Sequence, residues 1–426
     1  MAVFLFILVY FLLFYFFKKK PGVILTFFLL FPSINNIILF QFDLDDYRYL
    51  FGFFILIIFI VLNFNPKIIF NNLNYTVRSP IFIGLMLILF GMFVGFLNGN
   101  VSDLGQSIIN KFLMPILIMF LIGALFIKNN KMLEDMSFGF IIFGTVFYIA
   151  TYFLADLSSI DVSNRWSITE TGFFNAITLA RMCGMIFIPS FLYGLYTKVK
   201  IIRIISIVLS LISIYWLFAA STRGVIVAIL LSLLLFFLFN FKNKGSYKLY
   251  IVFFLLIIII SLGIIDISKF DLIDRFYELK NYKHMPRYWD FYRTWNIFKE
   301  NIFFGAGPGG YGDITGREYP HNIFLELIAE YGLIGLMAFV LITYCGLYNS
   351  LKILRSRIFN YKINILILIW IYFLFSSMFS GNIAVNNDFW IMSGVLISVI
   401  RQNRISNHRK NYVPNFYIKD VDRNKY

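Results

Sequence analysis

The sequence predicts an all-α integral membrane protein, a polytopic bundle of about 12–13 transmembrane helices with one large loop on its outer side. Two observations support this fold class. The 426 residues are 60% hydrophobic and only 14% charged, with a mean hydropathy of +0.80. Long apolar runs also alternate with short polar segments along the chain. Since soluble domains are roughly half apolar and a quarter charged, a soluble protein is excluded.

The apolar runs give the candidate spans, because about 20 apolar residues are needed to cross the hydrocarbon core and fewer suffice at the short end. No internal repeat and no low-complexity linker interrupts them. We therefore expect a single membrane domain over residues 1–401. The candidate spans are 3–17, 22–41, 50–65, 80–97, 112–127, 136–155, 176–197, 200–218, 224–241, 248–265, 330–350, 363–380 and 386–401.

Basic residues mark every second connection between these spans, for example 66–79, 198–203 and 351–362. Lys and Arg are retained on the cytoplasmic side of membrane proteins, so the net charge of +15 is interpreted as topology rather than as nucleic-acid binding. This pattern predicts a basic cytoplasmic tail at 402–426. It also predicts a large periplasmic loop at 266–329, in which we expect short amphipathic helices.

The first candidate site residue is Arg223, at the outer start of an apolar helix within the segment Ser221-Thr222-Arg223-Gly224. Ser221 is suited to cap this helix, which leaves backbone N–H groups and the positive end of the helix dipole facing outward. An arginine at such a place favours an anion, and phosphate is the natural candidate. The alternative is an arginine that only anchors the helix end at the membrane surface.

The second group lies in the large loop, where Arg287, Trp289, Arg293 and Trp295 fall within one short segment. We expect an amphipathic helix at roughly 285–300, with aromatic side chains along one face. Several glycines follow over residues 305–312 and could let the backbone approach a ligand closely. The flanking strand and helix of a nucleotide-binding loop are not predicted here.

The third group begins where the large loop re-enters the membrane, with His321 and Asn322 followed by Glu326 and Glu330. Imidazole titrates near neutral pH, which makes His321 a candidate general base. A histidine at the start of a helix could instead serve as a cap or a simple hydrogen-bond donor.

An arginine inside a predicted span, Arg181, is a further candidate, because a charge within the membrane is costly unless it is paired or functional. Its expected partner is Glu326, Glu330 or an anionic ligand. The sequence offers no metal-site spacing of His, Cys or Asp, and both cysteines lie in apolar runs. No metal and no cofactor is therefore predicted.

Taken in this order, the motifs resemble those of the O-antigen ligase and O-antigen polymerase superfamily of bacterial envelope glycosyltransferases. The Ser/Thr-x-Arg-Gly element of that family resembles Ser221-Thr222-Arg223-Gly224. Its His-Asn pair, followed by nine residues and then Gly-x-x-Gly, is matched by His321, Asn322, Gly332 and Gly335. This spacing is the specific part of the resemblance.

The arginine in the large loop of the family stands eighteen residues before a Gly-x-Gly and is matched by Arg287 with Gly305 and Gly307. Two positions depart from the family pattern, since Phe291 stands where a Trp is common and Ile302 where a Pro is common. The resemblance covers residues 215–340, and elsewhere it extends only to hydropathy.

The resemblance implies a metal-independent, inverting transfer of a glycan from an undecaprenyl-diphosphate donor to a sugar hydroxyl, on the periplasmic face of the bacterial inner membrane. Arg223 and Arg287 would bind the diphosphate, and His321 would orient or deprotonate the acceptor hydroxyl, with a glutamate to orient His321. The predicted substrate-binding residues are Arg181, Arg293, Trp289, Trp295, Asn322, Glu326 and Glu330.

Within this superfamily the motifs leave the acceptor open. A polymerase extends another lipid-linked repeat unit, and a ligase transfers the glycan to lipid A–core. The heavy use of Phe, Ile, Asn, Lys and Tyr suggests AT-rich coding, as in variable glycan clusters, and so favours the polymerase. A transporter of lipid-linked oligosaccharides is a second alternative, although transporters usually distribute ionisable residues over several spans and show repeats.

Overall fold

The computed structural model describes residues 17–27, 57, 59–61, 63–99, 101–154, 176–220, 222–240, 286–356 and 360–412. Every regular element within these ranges is helical, which confirms the predicted all-α fold. The candidate spans 3–17, 22–41, 50–65 and 248–265 lie largely or wholly outside the described residues. The helices are α1 (Pro66–Val77), α2 (Pro80–Leu97), α3 (Asp103–Lys111), α4 (Leu117–Leu125), α5 (Asn130–Leu154), α6 (Ala176–Tyr196), α7 (Lys200–Ala219), α8 (Arg223–Asn240), α9 (Pro286–Glu300), α10 (Gly310–Thr315), α11 (Ile323–Leu354), α12 (Tyr361–Ser377) and α13 (Asn387–Tyr412).

Five of the described helices, α2, α5, α6, α7 and α11, are long and apolar enough to cross a membrane. Two shorter apolar helices, α8 and α12, accompany them. The chain is therefore a multi-pass membrane protein, as its hydropathy predicts. The predicted span 80–97 coincides with α2, whereas α13 continues through Tyr412 into the segment predicted as a basic tail.

The centre of the bundle is formed by α6 and α12, whose side chains are buried along most of their length. Small residues allow the close packing of helices that membrane bundles require. Gly184 of α6 lies directly against the ring of Tyr372 on α12, and Gly346 of α11 lies against Trp370. A side chain at either glycine would push the helices apart.

Helix α11 begins at Ile323, before the predicted span start at 330, and it is broken at Gly332 (φ 57°, ψ −137°). At the break, the carbonyl oxygens of Ala329 and Glu330 accept hydrogen bonds from the backbone N–H groups of Ala306 and Gly307, at 2.9 and 3.0 Å. The N–H of Leu333 donates to the carbonyl of Ile302 at 2.8 Å. The glycine-rich loop therefore fills the gap that the kink opens in the helix.

The glycines of this loop bring backbone against backbone, which differs from the predicted approach to a ligand. A Cβ atom on Gly305 would collide with the backbone of Glu330, and one on Gly332 would collide with the carbonyl oxygen of Ile302. Gly335 faces the carbonyl of Leu327 with equally little space. Gly305 and Gly332 are thus two sides of one packing contact, whereas Gly335 allows a close approach within α11 itself.

Helix α9 confirms the amphipathic helix predicted at 285–300, with its polar side turned inward. Asp290, Thr294 and Ile297 are buried against the bundle. The predicted substrate-binding residues Trp289 and Trp295 lie on the opposite face and are about half exposed, at 48% and 51%. This helix therefore presents aromatic rings outward and holds Asp290 inside.

We expect Gly332→Ala to destabilise the protein far more than Gly316→Ala, a matched control. Both glycines have positive φ, but nothing lies within 4 Å of a Cβ on Gly316, and its ψ of 12° is that of the ordinary left-handed region. Alanine at Gly332 meets both an unfavourable backbone conformation, which costs about 1–3 kcal/mol, and a collision. Thermal unfolding of the two purified variants measures the difference. Equal melting temperatures would contradict this role of Gly332.

Candidate active site

The loop between α12 and α13, residues 378–386, lies at the centre of the candidate site, although the sequence indicated it only as a short connection. Its carbonyl groups and amides meet side chains from three other helices. Asn382 shapes the loop, because its Oδ1 atom accepts hydrogen bonds from the N–H groups of Ala384 and Val385 at 3.0 and 2.7 Å. Gly381 supplies a positive φ of 79°. The loop is a defined turn to which the site residues are attached.

Arg181 reaches this loop from inside α6, and only 7% of its surface is exposed. Its Nη2 atom donates to the carbonyl oxygen of Ser380 and to Oδ1 of Asn386, both at 2.7 Å, and more weakly to the carbonyl of Ser376 at 3.3 Å. These partners replace Glu326 and Glu330, which the sequence suggested. Arg181 is therefore tied to the α12–α13 loop.

Arg287, at the start of α9, contacts the same loop from the other side. Its Nη2 atom donates to the carbonyl of Phe379 at 3.0 Å. Burial lowers the pKa of Arg287 below its usual value, the positive charge of Arg223 lowers it further, and Asp290 opposes the shift. Arg287 and Arg223 are thus close enough for their like charges to repel each other.

Arg223 is the first residue of α8, as predicted, and the neighbouring Gly224 packs against Phe379 of the loop. The Nη1 atom of Arg223 is buried and has no hydrogen-bond partner among the described residues. The predicted cap, Ser221, lies outside the described residues. A buried guanidinium nitrogen beside a second guanidinium favours an anion between the two groups.

Glu326 anchors the loop, since its Oε2 atom accepts a hydrogen bond from the N–H of Ile383 at 2.8 Å. Glu330 lies one turn further along α11, and both glutamates are completely buried. The Glu330 carboxylate lies near the backbone amides of Gly309 and Tyr311. In the part of the chain that the structure describes, Glu326 supports the loop backbone, whereas neither carboxylate oxygen of Glu330 has a hydrogen-bond partner. Neither glutamate is seen there to orient His321, as the sequence had suggested.

His321 occupies a left-handed backbone conformation (φ 55°) just before α11, and its ring is exposed. The cap of α11 is Asn322 instead, whose Oδ1 atom accepts hydrogen bonds from the N–H groups of Phe324 and Leu325 at 2.9 and 3.3 Å. The imidazole packs edge-on against Tyr319, with 4.6 Å between ring centroids. The predicted capping role therefore belongs to Asn322, and the imidazole faces the site.

Partial burial lowers the pKa of His321 below its usual value near 6.5. Asp290 opposes this shift, whereas the positive charges of Arg287 and Arg317 reinforce it. The imidazole is consequently neutral at pH 7. A neutral imidazole can accept a proton, as a general base must.

Asp290 was not predicted from the sequence, although it stands one helical turn after Arg287 on α9. Its side chain is buried, and its Oδ1 atom accepts hydrogen bonds from the hydroxyl of Tyr311 at 2.9 Å and from Nη1 of Arg317 at 3.0 Å. Burial and this contact together raise the pKa of Tyr311 above its usual range. Asp290 is the buried acid whose charge acts on both Arg287 and His321.

The remaining candidates lie around this cluster. Arg293 follows Asp290 on α9, and its Nη1 atom is buried without a hydrogen-bond partner in the described residues. Trp289 contacts Tyr288 and Tyr292 edge-on, and Trp295 lies against Phe298, all on the exposed side of α9. The structure therefore brings Arg223, Arg287 and His321 together, and it leaves the two tryptophans facing outward.

The comparisons with known proteins agree with the predicted resemblance. A family model described as O-antigen ligase matches residues 208–340, which include Arg223, Arg287, His321 and both buried glutamates. This match confirms the resemblance to the O-antigen ligase and polymerase superfamily. Neither the curated proteins nor the solved structures give a significant match to the chain.

We expect Glu326→Ala to loosen the α12–α13 loop, because it removes the acceptor of the Ile383 N–H bond from a buried place. Glu326→Gln is the matched control, since its amide oxygen can accept the same bond. Hydrogen exchange of the full-length protein measures this effect at residues 379–386. Exchange that stays at the wild-type level in Glu326→Ala, with the protein folded, would contradict the supporting role.

Proposed function

Because residues 208–340 carry the domain of the O-antigen ligase family, we propose that this membrane protein transfers a glycan from an undecaprenyl-diphosphate donor to a sugar hydroxyl. The reaction would take place on the periplasmic face of the bacterial inner membrane, with the C-terminal segment in the cytoplasm. The lipid tail of the donor would lie among the helices. The proposed transfer is metal-independent and inverts the configuration of the anomeric carbon.

The observation that carries this proposal is the pair formed by Arg223 and Arg287. Arg287 donates to the carbonyl of Phe379, Gly224 beside Arg223 packs against the same residue, and the buried Nη1 atom of Arg223 has no hydrogen-bond partner among the described residues. This arrangement leaves positive charge and donor capacity for an anion. Asp290 is the acid that acts on Arg287, and it is already paired with Arg317. A diphosphate bound by both arginines would supply the missing negative charge.

In the proposed reaction, the acceptor oxygen attacks the anomeric carbon of the donor while the bond from that carbon to the diphosphate oxygen breaks. The electron pair of the broken bond stays on the diphosphate, where the negative charge increases. Arg223 and Arg287 stabilise this developing charge from fixed positions, which lowers the barrier more than flexible solvent would. The proton of the acceptor hydroxyl passes to the neutral imidazole of His321.

The exposed aromatic rings of α9 suit the sugar part of the substrates. Trp289 and Trp295 could stack on sugar faces, with Arg293 and Asn322 as further contacts near the cluster. Arg181 is placed to act through the α12–α13 loop, because its hydrogen bonds go to that loop. We assign Arg181, Glu326 and Glu330 to positioning rather than to direct contact with the glycan.

The acceptor distinguishes two versions of this function. We favour a repeat-unit polymerase, in which the acceptor is another lipid-linked unit, on the basis of the AT-rich residue usage. A ligase, in which the acceptor is lipid A–core, uses the same chemistry and is the alternative. A transporter of lipid-linked oligosaccharides is the second alternative. It needs no general base, and the exposed, neutral His321 beside two arginines favours transfer over transport.

Arg223→Ala, Arg287→Ala and His321→Ala should each abolish glycan transfer, with losses of roughly 10²–10³-fold or more for each group that acts on the developing charge or the proton. Protein level and membrane insertion should be unchanged. Arg355→Ala is the matched control, because Arg355 lies just beyond the far end of α11 and packs over Phe239. Long-chain glycan at the normal level in all three site variants would refute the proposed enzyme.

Glycan profiling of a deletion strain separates the versions of the function. If the protein is a polymerase, lipid A–core should carry a single repeat unit. If it is a ligase, lipid A–core should be unmodified while lipid-linked polymer accumulates. Accumulation of unpolymerised lipid-linked units on the cytoplasmic face would support the transporter instead.

The pH dependence of transfer should respond to Asp290 in a defined direction. Because the charge of Asp290 raises the pKa of His321 and that of Arg317 lowers it, Asp290→Asn should move the acid limb of kcat/KM to lower pH. Arg317→Gln should move it to higher pH. Asp313→Asn, an exposed acid on the same loop, is the control. Shifts with the reverse signs would show that His321 is not the group that titrates.

A further inference from the structure

A second charged region lies at the end of the bundle opposite to the candidate site. Gly91 and Gly95 of α2 pack against Tyr331 and Pro308, near the site, whereas Gly84 packs further along α11 against Ile342. Helix α2 is 18 residues long, or about 27 Å, so its first residue, Pro80, lies roughly one membrane thickness away from the site.

At this far end the structure has a cavity of about 410 Å³ between α1, α2, α11 and α13. Two arginines line it, Arg78 from the end of α1 and Arg404 from α13, and both are exposed. Arg404 lies over the ring of Tyr75, with 5.5 Å from its guanidinium carbon to the ring centroid. Two guanidinium groups therefore line the cavity.

The positive charge of this cavity is not balanced by acids in its wall. No Asp or Glu is among the described residues that line it, and the ion pairs found between described residues involve neither Arg78 nor Arg404. Arg401, which is buried one turn before Arg404, lies close enough to act electrostatically on Tyr75. The guanidinium of Arg401 is itself hydrogen-bonded to the carbonyls of Ala124 and Ile127, so an anion in the cavity would bind to Arg78 and Arg404.

The rest of the lining indicates what carries the anion. Polar groups come from Asn74, Asn349 and Ser79, and the hydroxyl of Ser79 makes no capping bond to α2 although it stands at the N-cap. Accessible apolar surface comes from Pro80, Cys345 and the ring of Tyr75. A small inorganic anion gains nothing from this apolar surface, whereas an amphiphile with a charged head and an acyl chain uses both kinds of surface.

We propose that this cavity binds the phosphate group of an anionic phospholipid, from the membrane leaflet opposite to the candidate active site. Arg78 and Arg404 hold the phosphate oxygens, and the asparagine and serine side chains contact the glycerol part. Pro80 and Cys345 contact the first methylenes of an acyl chain. Pro80 is the first residue of a membrane-spanning helix, so the cavity beside it lies at the level of the lipid headgroups in the membrane. The proposal does not depend on the transferase function.

Native mass spectrometry of the purified full-length protein tests it, with titration of phosphatidylglycerol. We expect Arg78→Gln and Arg404→Gln each to weaken binding of the first phosphatidylglycerol about tenfold, as the loss of a charge-assisted hydrogen bond implies. Arg78→Lys and Arg404→Lys should keep most of the affinity, because the charge is retained. Arg355→Gln, which removes another exposed arginine beyond the far end of α11 but outside the cavity, should have no effect.

Three results would overturn the proposal. Equal binding of phosphatidylcholine with the same acyl chains would show that the anionic headgroup is not recognised. Equal stabilisation of the protein by inorganic phosphate alone, lost in the glutamine variants, would assign the cavity to a water-soluble phosphate. Wild-type affinity in a folded Arg78→Gln, Arg404→Gln double variant would place the bound lipid elsewhere.

Discussion

The α12–α13 loop is held by hydrogen bonds from its backbone to charged side chains, and the arrangement of the site follows from them. Arg181 and Arg287 donate hydrogen bonds to carbonyl oxygens of the loop. Glu326 accepts a hydrogen bond from the N–H group of Ile383 in the same loop. Charged groups in a bilayer are stable only where their hydrogen bonds are satisfied inside the protein. A loop of irregular backbone offers the carbonyl groups that a regular helix would use internally.

The like charges at the site follow from the same constraint. Arg287 is anchored to the carbonyl of Phe379, and Gly224 beside Arg223 packs on that same residue, so both arginines are attached next to one residue of the loop. The buried Asp290 acts on Arg287 but does not neutralise the positive charge of the site, because it also binds Arg317. Positive potential that is built into the fold in this way is ready for an anionic leaving group before any substrate arrives.

Hydropathy alone was sufficient to predict the fold class, and it gave the limits of α2 correctly, since that helix contains no charged residue. It placed the start of the span in α11 too late, because Glu326 resembles a solvent-exposed residue in sequence although the protein buries it completely. The arginines and His321 were identified because charges and imidazoles near a membrane are rare. The partners of Arg181 could not be predicted, since backbone carbonyl groups about 200 positions away have no signature in the sequence. Asp290 was missed because nothing distinguishes a buried aspartate on an amphipathic helix from an exposed one.

The break at Gly332 has a consequence for how the protein moves. The hydrogen bonds that link residues 302–307 to residues 329–333 belong equally to the glycine-rich loop and to α11. Neither segment can separate without exposing unpaired backbone groups of the other, so the two should open and close as one cooperative folding unit. Substrate entry that required motion here would involve the first turns of α11, together with the residue that precedes its cap, His321. Access to the site and the position of its base would then be coupled mechanically.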